Sequence, residues 1–276
     1  MCGRYGLDIA WEELFAYFNL LRPTEDDRGP DLTPRRNIAP TQPIMVVRNG
    51  YDAAREALLA RWGLLPSWVK DPKAFTLLLN ARSETAAEKP SFRAAMRHRR
   101  VLIPASGFYE WRRFGKGQKS QPYWVVPSND NRNDASSPDK SGQSVDATRS
   151  NTPPIVAFGG LMETWTGPDG SELDTACILT TAANESFSEI HDRLPLVIDP
   201  KDFERWLNCR DNGPSDVADL MAPADDLFFR VIPVSDAVNK VANGGPEVQE
   251  RVEPARRHAS PKAKPNDEPD PQPSLF

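Results

Sequence analysis

The chain has 276 residues, enough for one large domain or two small ones, but 27 prolines and a mean hydropathy of −0.57 indicate that part of it is unfolded. The three cysteines lack the spacing of metal ligands and predict neither a disulfide framework nor a metal or other cofactor. The sequence shows no signal peptide and no apolar run of about 18 residues, which predicts a cytoplasmic protein without a membrane partner. Residues 1–127 carry 20 Lys and Arg against 13 Asp and Glu, whereas residues 128–276 carry 14 against 26, so the N-terminal half suits an anionic ligand.

Helices and short strands alternate irregularly along the chain. A helix is predicted over 8–20 with Asp8 as N-cap, a second over 92–100 capped by Ser91, a third from Asp199 to about Asn208, and a short one over 215–221. Strands are predicted over 44–48, 57–62, 101–104, 108–114, 123–126, 155–161, 177–181 and 228–233. Short strands with few helices predict an α+β fold, a single domain on an antiparallel, barrel-like β core with flanking helices.

Two segments lie outside the predicted domain, which spans residues 1–242. Residues 128–153 contain almost no apolar side chains and predict a disordered insertion. Residues 243–276 are rich in Pro, Lys and Asp and predict a disordered C-terminal tail.

Cys2 follows the initiator methionine, and removal of Met1 would leave it with a free amine beside its thiol. Such a 1,2-aminothiol condenses with an aldehyde to a Schiff base, which its sulfur closes to a thiazolidine ring. Alternatively, the thiolate can attack an acyl carbon with the amine as base, as in N-terminal nucleophile hydrolases. A small residue at a frayed terminus, without chemistry, is the third interpretation.

Several other side chains have two interpretations each. Trp62 and Trp68 can be core anchors or a stacking platform for bases. Glu110 lies among aromatic residues, which can raise the pKa of a carboxyl group, or it is a strand carboxylate paired with a neighbouring arginine. His191 can exchange protons near neutral pH or serve only the structure.

Six motifs, in this order, resemble the SRAP family, the SOS response-associated peptidases. They are MCGRY (1–5), NIAPT (37–41), RWGLLPSW (61–68), NARSET (80–85), GFYEW (107–111) and HDRLP (191–195). The resemblance runs from residue 1 to about 240. It implies a single domain, expected as a monomer at the nucleoid, that binds single-stranded DNA and captures abasic sites covalently through Cys2 as a thiazolidine. Removal of Met1 by the protein itself, or reversal of the crosslink, would be the peptidase activity in the family name.

The resemblance also implies roles for individual residues. Asn80 would position the N-terminus, Glu110 would handle protons at the amine, and His191 would act as acid and base in sugar ring opening and imine formation. Contacts to the DNA are implied for Arg4, Asn37, Trp62, Trp68, Arg82, Thr180 and Arg193. Phosphate contacts of this kind position DNA without reading its sequence.

The last five residues resemble the pentapeptide with which bacterial replication proteins bind the sliding clamp. Gln272, Leu275 and Phe276 would be its anchors, and Pro273 departs from the commoner leucine. Two functions of other classes stay open beside covalent capture. One is a cysteine hydrolase or peptidase, and the other is a non-catalytic reader of single-stranded or modified DNA in which Cys2 has no role.

Overall fold

The computed structural model describes residues 2–21, 33–115, 117–128 and 154–254. Its strands are β1 (Tyr5–Leu7), β2 (Arg35–Ile38), β3 (Pro43–Asn49), β4 (Arg55–Trp62), β5 (Asn80–Arg82), β6 (Arg100–Ala105), β7 (Gly107–Arg112), β8 (Gln121–Pro127), β9 (Val156–Thr166), β10 (Glu172–Ala182), β11 (Arg193–Pro195) and β12 (Phe229–Pro233). The α-helices are α1 (Trp11–Phe18), α2 (Ser83–Ala86), α3 (Arg93–His98) and α4 (Phe203–Leu207), and 3-10 helices span Pro200–Asp202, Pro214–Met221, Asp236–Asn239 and Pro246–Val248.

The strands form two sheets, and one of them closes on itself. Strands β4, β3, β6, β9 and β10 pair in that order, and β10 pairs with both β9 and β4, which completes the ring. The second sheet has the order β12-β8-β7-β1-β2 and is antiparallel throughout. The predicted α+β class with a barrel-like core is therefore confirmed. The antiparallel arrangement of the core has a local exception, because β10 runs parallel to β4 and β5.

Strand β7 connects the core to the pocket described below, because successive side chains of a strand point to opposite faces. Phe108 packs edge-on against Phe158 of β9 in the main core, with ring centroids 6.0 Å apart. Tyr109 packs against Trp124 in a smaller cluster on the other face. Glu110, two residues after Phe108, therefore points to the same side as the main core and is only 5% exposed.

Two predicted helix starts are wrong. The first helix begins at Trp11 rather than at residue 8, and Asp8 forms an ion pair with Arg36 at 2.6 Å instead of capping it. The second predicted helix corresponds to α3, which begins at Arg93 and is not capped by Ser91. A short polar residue caps a helix only if the backbone turn brings its oxygen to the free N–H groups, and sequence does not reveal that turn.

Arg100, predicted as the last residue of the second helix, is instead the first residue of β6 and is almost completely buried. Its guanidinium donates to the carbonyl oxygens of Met96 (3.0 Å), Trp206 (2.7 Å) and Asn212 (2.8 Å). These carbonyl groups lie in and after two short helices, whose last carbonyl groups need donors from outside the helix. Arg100 therefore joins α3 and α4 to the barrel.

The prediction that Asp199 and Pro200 begin a helix is confirmed. Pro200 is the first residue of a 3-10 turn that leads into α4, and the Asp199 carboxylate accepts from the Lys201 N–H at 3.1 Å.

The ordered chain extends beyond the predicted domain end at residue 242. Val248 is completely buried, and Arg251 pairs with Val234 in a β-bridge. Residues as far as Arg251 therefore pack onto the domain. Most of the predicted insertion (129–153) and the tail from 255 on lie outside the described residues. Each helix in the described part of the chain is too short or too polar to cross a bilayer.

Candidate active site

A pocket of about 680 Å³ opens beside the N-terminal strand. One wall comes from β7 and the hairpin that leads to β8, and the other from the end of β5 and the residues around the start of β11. The residues that line it are Glu110, Trp111, Arg113 and Ser120 on the first wall, and Arg82, His191, Asp192 and Arg193 on the second. The pocket thus brings together the carboxylate, the imidazole and two of the arginines that the sequence predicts for the site.

Cys2 lies just before β1 and is held by a side chain from a distant strand. The Asn80 amide donates to the Cys2 carbonyl oxygen at 2.9 Å. Asn80 is the first residue of β5, whose position is set by parallel pairing with β10. Burial and, next, the negative charge of Glu110 raise the pKa of the Cys2 thiol well above its ordinary value. The resting thiol is therefore protonated at neutral pH, close to Asn80 and Glu110.

His191 has a hydrogen-bond partner for each state of its Nδ1 atom. This atom lies 3.0 Å from the backbone nitrogen of Arg193 and 2.8 Å from Oδ1 of Asp192. The first contact needs a bare Nδ1 that accepts, whereas the second needs an Nδ1–H that donates, so the two cannot form together. In the neutral ring with its proton on Nε2, Nδ1 accepts from the backbone. A proton gained at Nδ1 is held by Asp192. The Nδ1 atom therefore has a local partner both as an acceptor and as a donor.

Arg193 forms an ion pair with Glu84. Its guanidinium donates to both carboxylate oxygens of Glu84, at 2.6 and 2.8 Å, and to the carbonyl oxygen of Thr180. These bonds are the main reason why the pKa of Glu84 lies below its ordinary value. Arg82 is exposed, and its charge also acts on Glu84, although more weakly than that of Arg193.

Arg4 and Asn37 hold the C-terminal part of the domain against the N-terminus. Arg4 Nη1 donates to Oδ1 of Asn37 at 2.8 Å and to the carbonyl oxygen of Val238 at 2.7 Å. The Asn37 amide donates to the carbonyl oxygens of Val238 (3.3 Å), Lys240 (3.0 Å) and Asn243 (2.7 Å). Both side chains therefore have protein partners in the structure, and their DNA contacts stay a prediction.

Trp62 and Thr180, two further residues predicted to contact DNA, lie in the protein interior. Trp62 is completely buried, donates from Nε1 to the Leu79 carbonyl oxygen at 3.1 Å and packs edge-on against Tyr5. Thr180 is completely buried as well. Trp68, by contrast, is 57% exposed and rests its edge on Phe75. Of the two tryptophans, only Trp68 presents a ring face on which a base could stack.

Four pocket residues have no role in the predictions from sequence, namely Trp111, Arg113, Ser120 and Asp192. Arg113 and Ser120 belong to the hairpin between β7 and β8, and Asp192 follows His191. Asp192 could have been found from its place in the HDRLP motif. For Arg113 the sequence offers only its position three residues after Glu110, which says nothing about where its side chain points.

The family model described as SOS response associated peptidase (SRAP) matches residues 1–241. Abasic site processing protein YoqW of Bacillus subtilis (strain 168) is 34% identical over 250 residues, 91% of this chain and 99% of that protein. Abasic site processing protein YoaM of the same strain is 32% identical over 250 residues, 90% of this chain and 97% of that protein. A crystal structure of a Bacteroides thetaiotaomicron protein matches with a TM-score of 0.71 and 22% identity over 91% of this chain and all of that one, which supports the fold alone.

Proposed function

Since this chain belongs to the SOS response associated peptidase (SRAP) family, we propose that it processes abasic sites in DNA by capturing them covalently on Cys2. The product is a thiazolidine crosslink to single-stranded DNA, formed after Met1 has been removed. The observation that carries the proposal is the position of Cys2. Its carbonyl group accepts from Asn80, and its thiol lies within the field of Glu110, which lines the same pocket as His191.

In this chemistry the protein side chains other than Cys2 only transfer protons. An abasic sugar is a closed hemiacetal in equilibrium with an open aldehyde, and His191 moves the hydroxyl proton toward the ring oxygen as the ring opens. The Cys2 amine attacks the aldehyde carbon and loses a proton to Glu110. The carbinolamine then releases water and becomes an imine. Finally, the Cys2 S–H adds across the C=N bond, sulfur to carbon and hydrogen to nitrogen, so one water leaves for each ring formed.

The protonation state of the thiol favours this order of steps over a hydrolase mechanism. A cysteine hydrolase needs a thiolate as its attacking group. Here burial and Glu110 keep the Cys2 thiol protonated, so the amine can attack first and the thiol can close the ring afterwards.

The test uses an oligonucleotide with one abasic site, followed by denaturing gel electrophoresis and intact-mass measurement. Wild type and the control Cys209→Ala should form a stable adduct whose mass is the sum of both parts less one water. Cys2→Ala keeps an N-terminal amine, so it should give a band only when borohydride reduces the imine. A stable adduct of Cys2→Ala without reductant, or no adduct with wild type, overturns the proposal.

We infer in addition that the protein acts as a monomer at the nucleoid and binds the replication sliding clamp through Gln272, Leu275 and Phe276, which lie outside the described residues. A tethered clamp site would raise the local concentration of the domain at replication forks. Immobilised clamp should retain wild type and lose Phe276→Ala. Equal recovery of the two proteins rejects the clamp interaction.

A further inference from the structure

The hydroxyl group of Tyr5 is buried without a hydrogen-bond partner. Tyr5 lies in β1 and is completely buried, and its hydroxyl oxygen makes no hydrogen bond with any residue that the structure describes. Buried polar side-chain groups are usually paired, because an unpaired one destabilises the fold. Tyr109 of the neighbouring strand β7 shows the ordinary arrangement, since its hydroxyl donates to the Arg36 carbonyl oxygen at 2.8 Å. The unpaired hydroxyl of Tyr5 therefore needs an explanation other than stability.

The Tyr5 side chain is held in place and lies close to Cys2. Its backbone pairs with both β2 and β7, and its ring packs edge-on against Trp62 with the centroids 5.3 Å apart. Burial is the main reason why the pKa of the Tyr5 hydroxyl lies far above its ordinary value. The charge of Arg35 lowers this pKa, whereas the nearby Cys2 thiol raises it. The hydroxyl therefore keeps its proton and is a hydrogen-bond donor near the reactive sulfur.

The sulfur of Cys2 needs such a donor when the thiazolidine ring closes. In the resting protein this thiol is buried, and its S–H donates to the Arg4 carbonyl oxygen at 3.8 Å. During closure a C–S bond forms, the π electrons of the C=N bond move to nitrogen, and the proton passes from sulfur to nitrogen. Sulfur carries negative charge to the extent that its proton leaves before the C–S bond is complete. Such a charge is costly inside a protein unless a donor faces it.

We propose that the Tyr5 hydroxyl donates a hydrogen bond to the Cys2 sulfur while the thiazolidine ring closes. The inference rests on the proposed function, which supplies the imine between the Cys2 amine and the abasic sugar. Tyr5 transfers no proton, so the balance of the reaction is unchanged. Its effect is confined to closure, because the earlier attack of the amine on the aldehyde does not involve the sulfur. The pairing of the hydroxyl with the sulfur in this step explains why it has no partner in the resting protein.

The experiment compares Tyr5→Phe, which loses only the hydroxyl, with wild type. Protein in excess reacts with an oligonucleotide that contains one abasic site, and samples are quenched with borohydride at intervals. Borohydride reduces the open imine, so this form is two hydrogen atoms heavier than the closed ring when the crosslinked N-terminal peptide is weighed after digestion. Tyr5→Phe should form adducts at the wild-type rate, but the open share of the early adducts should rise by about tenfold, the effect of one lost hydrogen bond to a charged atom.

Tyr109→Phe is the matched control, because it removes the hydroxyl of another buried tyrosine that has a protein partner. It should leave the open share at the wild-type value. Thermal unfolding separates the two variants in the opposite direction. Tyr109→Phe should melt at lower temperature, because the Arg36 carbonyl group loses its donor. Tyr5→Phe should melt at or above the wild-type temperature, because the group that it loses is unpaired.

Three results would overturn the inference while wild type still forms the crosslink. They are an unchanged open share in Tyr5→Phe, an equal rise in Tyr109→Phe, and a Tyr5→Phe protein that melts well below wild type, which would mean that the hydroxyl is paired at rest. Failure of wild type to form any adduct instead overturns the proposed function, and this inference with it.

Discussion

Replacing Asn80 by alanine tests whether the hydrogen bond to the chain terminus matters for the reaction. In the wild type one neutral bond of 2.9 Å connects the Asn80 amide to the Cys2 carbonyl oxygen. A bond of this kind contributes about 0.5–1.5 kcal/mol net. If it selects the reactive position of the N-terminus, its loss should reduce the crosslinking rate by about 2- to 13-fold, since 1.4 kcal/mol is about a factor of ten. The affinity for undamaged DNA should stay the same.

The assay is single-turnover crosslinking with protein in excess, analysed on denaturing gels. Asn212→Ala is the matched control, because its amide also donates one bond to a backbone carbonyl group, that of Arg205 at 3.2 Å. Both variants should unfold at slightly lower temperature, by about 2–4 °C per kcal/mol for a domain of this size. Only Asn80→Ala should crosslink slowly. Equal rates in the two variants would refute the positioning role of Asn80.

Two further predictions concern charged groups around the pocket. Glu110→Gln removes a charge that raises the pKa of the Cys2 thiol. Iodoacetamide should therefore alkylate Cys2 faster, whereas crosslinking should be slower. An unchanged alkylation rate would contradict the electrostatic effect of Glu110 on Cys2. Glu84 has its pKa lowered chiefly by Arg193, so its ionised form stabilises the folded protein above the ordinary value of 4.5, and this stability is lost as pH falls through the lower folded pKa. The difference in melting temperature between wild type and Glu84→Gln should therefore be largest near neutral pH and shrink in acid; a difference independent of pH would argue against the ion pair.

Local patterns were enough to predict the class of fold. Strands such as β3 and β10 are rich in β-branched side chains, and the Asp199–Pro200 pair contains its own helix-start signal. The three-residue strands β1, β5 and β11 were missed because they are too short for any alternation to be visible. The parallel pairing of β10 with β4 depends on chain segments far apart in sequence, which no local pattern encodes.

The amino-acid sequence by itself determines which reactive groups this protein owns, above all a cysteine directly after the initiator methionine, with a carboxylate, an imidazole and arginines in recognisable motifs. Only the tertiary structure decides which of them are available. The Asn37 amide donates to carbonyl groups that lie 201 to 206 residues further along the chain. Arg193 donates to the carboxylate of Glu84, 109 residues before it. Arg113, which no motif singles out, is open to the pocket while Arg112 is not. The physical reason is that a side chain's charge and hydrogen-bonding capacity are intrinsic to its type, whereas the partner that occupies them is set by long-range packing.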